Sequence, residues 1–164
     1  GTVPLIVNVG AKFGYYAAGL ASRLQAPAIA YDADPWARGV LMKTAALNGV
    51  VIDIRGRCDR SDLLALQPGT LVVIDCDGCE EALLRAPLPE GLIRSRLVIE
   101  LHGAMLDDDD TVTRLERTHG VVTIPSLEAP PPPADLPFLS AHERRLAVEE
   151  IRTPQRWLIC TPLA

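Results

Sequence analysis

Four side chains of this sequence have the types and spacing of a reactive cluster: Asp75 and Asp77 in one segment, Glu100 and His102 in another. Each pair is separated by a single residue, so on an extended strand the two side chains of a pair share one side. An imidazole beside carboxylates can take a proton from a hydroxyl while a carboxylate orients the ring. Three readings stand open. His102 is a general base oriented by Glu100 or Asp75; or all four side chains hold a divalent metal that positions a diol; or Glu100 and His102 satisfy loop backbone. The first is carried forward, with His102, Asp75 and Glu100 as candidate catalytic residues and no metal.

The elements that would bring these residues together are legible as alternating patterns. Short apolar runs rich in β-branched residues predict strands at 5–9, 28–31, 50–54, 71–75 and 97–101, with two more at 121–124 and 156–160. Continuous rather than alternating hydrophobicity marks the first five as strands covered on both faces, as in a mostly parallel α/β sheet. Helical patterns fall between them, at 15–24, 35–47, 61–66, 80–84, 110–119 and 140–150. Asp34-Pro35 is a start signal, an N-cap followed by proline at the first helical position. Leu47-Asn48-Gly49 is a stop signal. Asp107 to Asp110 are read as acids gathered at a helix N-terminus, since a calcium loop needs a different spacing. His119 is expected at a helix C-terminus and His142 in solvent. With the fourth and fifth strands adjacent, the four reactive side chains meet at the carboxyl edge of the sheet, where α/β proteins bind ligands.

The same edge carries a second signal. The strand Ile6-Val7-Asn8-Val9 runs into Gly10-Ala11-Lys12-Phe13-Gly14 and then a helix, and the next strand ends on Asp32. Glycines let backbone approach a ligand, a helix N-terminus offers free N–H groups, and a carboxylate at a strand tip accepts bonds from ribose hydroxyls. This is how such a sheet builds a nucleoside pocket. The turn is not G-x-G-x-x-G, and no Gly-Lys-Ser/Thr follows, so neither a dinucleotide fingerprint nor a Walker loop is present. Lys12 stands where it could meet an anion.

Composition bounds the rest. The chain has 164 residues, 48% hydrophobic and 23% charged, which fits one globular domain over 1–164 with a substantial core. A net charge of −5 leaves no electrostatic footprint for nucleic acid or an anionic membrane. No apolar run is long enough to span a bilayer and no secretory leader is visible, so a cytoplasmic location is expected. Gly1-Thr2 stands almost inside the first strand, which leaves room for an N-terminal lead-in beyond this sequence. Residues 129–139, with four consecutive prolines from Pro130 to Pro133, are read as a stiff surface connection. The last two strands, joined by this excursion, suggest an antiparallel hairpin closing the sheet edge. Of the four cysteines, Cys76 and Cys79 form one C-x-x-C with no second pair, poor grounds for a zinc site. A redox pair is the alternative; the reading carried forward is reduced cysteines serving as small apolar residues.

Five segments in order resemble a known family. Val7-Asn8-Val9-Gly10-Ala11-Lys12-Phe13-Gly14-Tyr15-Tyr16 is similar to the first motif of class I S-adenosylmethionine-dependent methyltransferases, especially the FkbM type. Tyr31-Asp32-Ala33-Asp34-Pro35 resembles the second motif, and Leu47-Asn48-Gly49 matches the Asn that ends the following helix. Residues 73–84 resemble Asp-Val-Glu-Gly-x-Glu-x-x-Leu-Leu, and Val98-Ile99-Glu100-Leu101-His102 resembles an Ile-Glu-x-His strand end. The resemblance spans residues 5–102. It implies a Rossmann-like seven-stranded sheet of order 3-2-1-4-5-7-6 and S-adenosylmethionine as cofactor. It also implies roles: Gly10 and Gly14 beside the methionine half, Asp32 on the ribose diol, Ala33 near the adenine, Asp59 on the exocyclic amine, and Asp75 between cofactor and acceptor. Asn8 stands where the family has an acid, so Asn8→Asp is expected to strengthen cofactor binding. Lys12 replaces an Asn; it either opposes the sulfonium or pairs with the methionine carboxylate. The function expected is methylation of an oxygen on a small-molecule or glycan-like acceptor. The alternatives are a non-catalytic module that binds a protein partner and an NAD- or nucleotide-binding enzyme with Lys12 on phosphate.

Overall fold

The computed structural model describes residues 2–102, 109–125, 138–146 and 155–163. The polyproline connection, the acids Asp107 and Asp108 and the end of the helix expected at 140–150 lie outside the described residues.

Seven strands form one sheet: β1 Ile6–Val9, β2 Ala28–Tyr31, β3 Ile52–Arg55, β4 Leu71–Ile74, β5 Arg96–Leu101, β6 His119–Pro125 and β7 Arg156–Pro162. Their order is β3-β2-β1-β4-β5-β7-β6. The first five run parallel, and β7 is antiparallel to both β5 and β6. The helices are α1 Tyr15–Leu24, α2 Pro35–Leu47, α3 Glu80–Leu84, α4 Glu90–Ile93, α5 Asp109–Glu116 and α6 Ala141–Leu146, with a 3-10 turn at Arg60–Leu63.

Burial follows position in the sheet. All four residues of central β1 are buried, while edge strand β3 alternates half-buried with exposed. A main core of Val7, Val9, Val72, Ile74, Leu97, Ile99, Leu101 and Leu158 joins the strands to Leu83, Leu84, Leu92 and Leu115 of the helices.

Local chemistry sets the boundaries. The Asp34 carboxylate accepts the Trp36 N–H at 2.8 Å, with Pro35 opening α2. At the other end Gly49, at φ 63°, donates to the Ala46 carbonyl and Val50 donates to that of Ala45, a Schellman closure. Val50 thus uses its N–H to end a helix, and β3 begins at Ile52 rather than at 50. Two elements differ in kind from expectation. In place of the helix expected at 61–66 there is a 3-10 turn at Arg60–Leu63, and α4, between Pro89 and Arg94, has no counterpart in the sequence patterns. His119 is not a helix terminus. It opens β6 almost completely buried, with Nε2 3.1 Å from the Ser95 carbonyl and Nδ1 2.8 Å from the Thr118 hydroxyl.

The cysteines correct another expectation. Cys76 and Cys79 are joined by a disulfide, while Cys58 and Cys160 are buried free thiols. No helix among the described residues is long and apolar enough to cross a membrane.

Candidate functional site

The chain lays β2 and β3 on one side of β1, then returns to place β4 and β5 on the other. This reversal opens a crevice at the carboxyl ends of β1 and β4. A cleft of about 600 Å³ occupies it, bordered by the Gly10–Phe13 turn, Asp32, Ala33, Arg57, Cys58, and the Asp75–Cys79 turn. Its size is that of a small-molecule site.

The first wall is a turn held by backbone. Gly10 and Ala11 donate to the Tyr31 carbonyl at 3.0 and 2.9 Å, and the Lys12 N–H donates to Asp32 Oδ2 at 2.6 Å. Lys12 lies in the left-handed region at φ 45°. A Cβ built on Gly10 would fall 1.8 Å from the Asp75 carbonyl oxygen, and one on Gly14 would fall 2.4 Å from Leu41 Cδ1. Both glycines therefore make room for protein neighbours. Gly10 lets β1 and β4 close against each other, and Gly14 lets α2 pack under α1.

Asp32 is the second wall. Its other oxygen accepts the Asp34 N–H at 2.8 Å, and Arg38 Nη1 donates to the Asp32 and Ala33 carbonyls at 2.7 and 3.0 Å. Each carboxylate oxygen keeps a lone pair for a hydroxyl. Ala33 is exposed beside it. Asn8 and Asp59 do not border the cleft. Asn8 is fully buried within β1, with its Oδ1 lacking a hydrogen-bond partner, and exposed Asp59 opens the 3-10 turn, its N–H donating to the Asp62 carboxylate at 2.8 Å.

The third wall leads to the reactive cluster. His102 Nε2 lies 3.2 Å from Glu100 Oε2, 3.3 Å from Asp77 Oδ1 and 3.7 Å from Asp75 Oδ1. The structure thus brings together all four residues that the sequence pairs as neighbours. Asp75 and Asp77 border the cleft, and His102 and Glu100 lie behind them. One ligand atom from each of Asp75, Asp77 and His102 falls within 4.8 Å of the others.

Glu80 is a site residue that sequence reasoning passed over. It has no exposed surface, accepts the Cys76 and Gly78 N–H groups at 3.1 and 2.8 Å, and lies 3.1 Å from His102 Nδ1. A buried carboxylate with this many donors fixes both the turn and the ring beside it. Its signal was present as the second Glu of the motif spanning 73–84. Tyr16 was also missed. It borders the cleft and stacks edge-on against Trp157 at 5.9 Å. Burial first, then the Asp75 and Glu100 charges, push its phenol above the ordinary value, so it stays a hydrogen-bond donor.

The chain has two Phe, three Tyr and two Trp, and Phe13, Tyr15, Tyr16, Tyr31 and Trp36 all border this one cleft. Tyr15 and Trp36 are 83% and 66% exposed, and Phe13 packs edge-on to Trp36 at 5.3 Å. Aromatic surface gathered at the mouth of a concavity marks a place for a ligand.

No family model matches the chain, and no curated protein sequence does. Solved structures do. An rRNA methylase from Streptococcus thermophilus superposes with a TM-score of 0.64 at 15% identity, covering 99% of this chain and 89% of that one. A precorrin 8W decarboxylase from Methanobacterium thermoautotrophicum gives 0.61 at 15%, covering 98% and 83%. The O-methyltransferase TomG from Streptomyces achromogenes, solved with S-adenosylmethionine, gives 0.61 at 14%, covering 98% and 74%. The fold is that of class I methyltransferases. The different reactions named for these neighbours mean that the fold alone does not set the acceptor.

Proposed function

We propose that the chain binds S-adenosylmethionine in this cleft and transfers its methyl group to an oxygen of a small-molecule or glycan-like acceptor. One observation carries the reading: Asp75 belongs both to the cleft wall and to the carboxylate ring around His102, so cofactor side and proton-accepting side meet at one residue. The residues present fit the cofactor. Asp32 keeps lone pairs for a diol, Ala33 leaves space for a flat ring, and Asp75 and Asp77 face a centre of positive charge favourably. When bound, the cofactor supplies an electrophilic methyl on a sulfonium.

The chain's own residues do the remainder. Asp75 accepts the hydrogen bond of the acceptor hydroxyl at the cleft wall. The released proton passes to the Asp75–His102 pair, whose facing atoms are 3.7 Å apart, while Glu80 holds the ring from Nδ1. Tyr16, close enough to Asp75 for that charge to act on its phenol, offers a second hydroxyl contact along the cleft. Along the cleft Asp32, Asp34, Asp75 and Asp77 outnumber Lys12 and Arg57, which argues for an uncharged or cationic acceptor rather than a nucleic acid.

Calorimetric titration with S-adenosylhomocysteine, with NAD and ATP as controls, tests this. Binding of S-adenosylhomocysteine alone, lost in Asp32→Ala, supports the proposal. Binding of ATP or NAD, lost in Lys12→Ala, would replace it with the phosphate reading. No heat with any of the three would favour the partner-binding module. A second reading of the cluster, a divalent cation held by Asp75, Asp77 and His102, is favoured by the closeness of their ligand atoms. Selective broadening of the His102 ring resonances by Mn²⁺ would support that reading.

A further inference from the structure

We propose that Cys76–Cys79 is a reversible thiol–disulfide site, reduced by a dithiol, whose state sets the position of the Asp77 and Glu80 carboxylates against His102.

The bond is placed for exchange. Both cysteines are half-buried and both border the cleft, so a small dithiol reaches them without unfolding. It is not placed to fasten the fold. Its ends lie in the single turn between β4 and α3, and a cross-link between near neighbours in sequence constrains the unfolded chain least. The other two thiols cannot scramble with it. Cys58 and Cys160 are buried, and burial pushes each up to about 12, so they stay protonated and inert.

What the ring encloses makes it a switch. Asp77 and Gly78, between the two cysteines, both have positive φ, 52° and 117°. Gly78 takes this conformation at no cost, but Asp77 is strained there. In that conformation Asp77 Oδ1 reaches within 3.3 Å of His102 Nε2. The same turn presents the Cys76 and Gly78 N–H groups to Glu80, whose carboxylate meets the other ring nitrogen. One small ring therefore holds both carboxylates that approach His102 from the β4–α3 turn. Opening it lets Asp77 return to an ordinary backbone conformation, carries its carboxylate away from Nε2, and loosens the two N–H bonds that seat Glu80.

The chemistry balances with the dithiol as the only co-reactant. A thiolate of the dithiol attacks one sulfur of the Cys76–Cys79 bond, and the other sulfur leaves as a thiolate and takes a proton. The second thiol of the reductant loses its proton and attacks the mixed disulfide, releasing the remaining cysteine. Two electrons and two protons pass to the protein, and the reductant ends as its own disulfide.

The test uses the full chain, folded, with dithiothreitol as reductant, and needs neither cofactor nor acceptor, so it succeeds or fails independently of the methyltransferase reading. The native protein is reduced, alkylated and mapped by mass spectrometry, and the His102 ring resonances are followed by NMR before reduction, after it, and after reoxidation. The expected result is two added labels, on Cys76 and Cys79 only, with a displacement of the His102 resonances that reverses on reoxidation. In the Cys76→Ser/Cys79→Ser variant the resonances should sit at the reduced position and ignore dithiothreitol. Labelling that requires denaturant, or a His102 signal unmoved by reduction, would overturn the proposal.

Discussion

Asn8 has no exposed surface and its Oδ1 lacks a hydrogen-bond partner, so a carboxylate in its place would be buried without compensation. Removing compensation from a buried charge costs about 3–5 kcal/mol. Asn8→Asp should therefore lower the stability of the free protein by roughly that amount, read as a fall in the urea midpoint. That outcome reverses the emphasis of the motif comparison, which treats position 8 as a cofactor contact. Lys12 invites the opposite change. A side chain held at φ 45° is in a conformation that Asn tolerates far better. Lys12→Asn should raise stability by about 0.5–1 kcal/mol, and S-adenosylhomocysteine titration should show binding retained. Loss of binding would mean that the ammonium contacts the ligand. The residues themselves show how far a sequence can be read at this scale. Glu100 and His102 were legible as neighbours through strand periodicity, whereas Asp75 and Asp77 lie past the end of β4 and Asp77 reaches His102 through a left-handed turn that periodicity does not describe. Glu80 was not legible, because an acid at a helix start has an ordinary explanation in the helix dipole, and only the tertiary position of His102 gives it another.

Among the elements, α4 is the instructive case. It has four residues, too few for an apolar period to show, and prolines at 87 and 89 suggest a loop. Its place is set by contact rather than propensity. A Cβ on Gly91 would fall 2.3 Å from the Leu63 carbonyl oxygen and 2.8 Å from the Leu66 nitrogen, so α4 lies directly on the backbone of the segment that begins with the 3-10 turn. Gly91→Ala must push two backbones apart and should cost about 1–3 kcal/mol or more. Gly19 supplies the control. It lies inside α1 with nothing within 4 Å of an added Cβ, so Gly19→Ala should stabilise by about 0.5–1 kcal/mol through helix propensity alone. Paired urea denaturation of the two variants checks both signs. Elements with strong local signals were the most legible: α1, α2 with its caps, and β2 match to the residue, and the buried strands β1, β4 and β5 match to within one residue. Among the boundaries that shifted, β3 starts late because the Val50 N–H closes α2, and β6 begins at His119, inside the span expected for the preceding helix, which ends at Glu116.

At the scale of the whole molecule the alternation of elements was enough to read a parallel α/β sheet with an antiparallel hairpin at its edge, whereas the strand order came from family resemblance. The disulfide was not legible, since one C-x-x-C in a chain of this composition fits a reduced protein equally well. The two remaining cysteines have a global consequence of their own. Cys58 is buried in the main core, and Cys160 sits in β7 between β5 and β6, almost without exposure. Burial is the main cause that raises both thiols from 9.0 to about 12, with Asp62 and Asp59 adding to it at Cys58 and Arg55 opposing. In the unfolded chain these thiols ionise near the ordinary value, while in the folded chain they hold their protons. Their contribution to stability is therefore complete below pH 9 and is lost as the pH rises toward 12. Each thiol tilts the unfolding free energy by about 1.4 kcal/mol per pH unit within that window. The two slopes act in the same direction, so the native protein should lose stability steadily as the pH rises through the window. Urea midpoints measured across the window should fall steeply in the native protein. In Cys58→Ala/Cys160→Ala they should start lower, because packing is lost, but fall less steeply. An equal slope in both proteins would assign alkaline sensitivity to other groups and remove these thiols from the account.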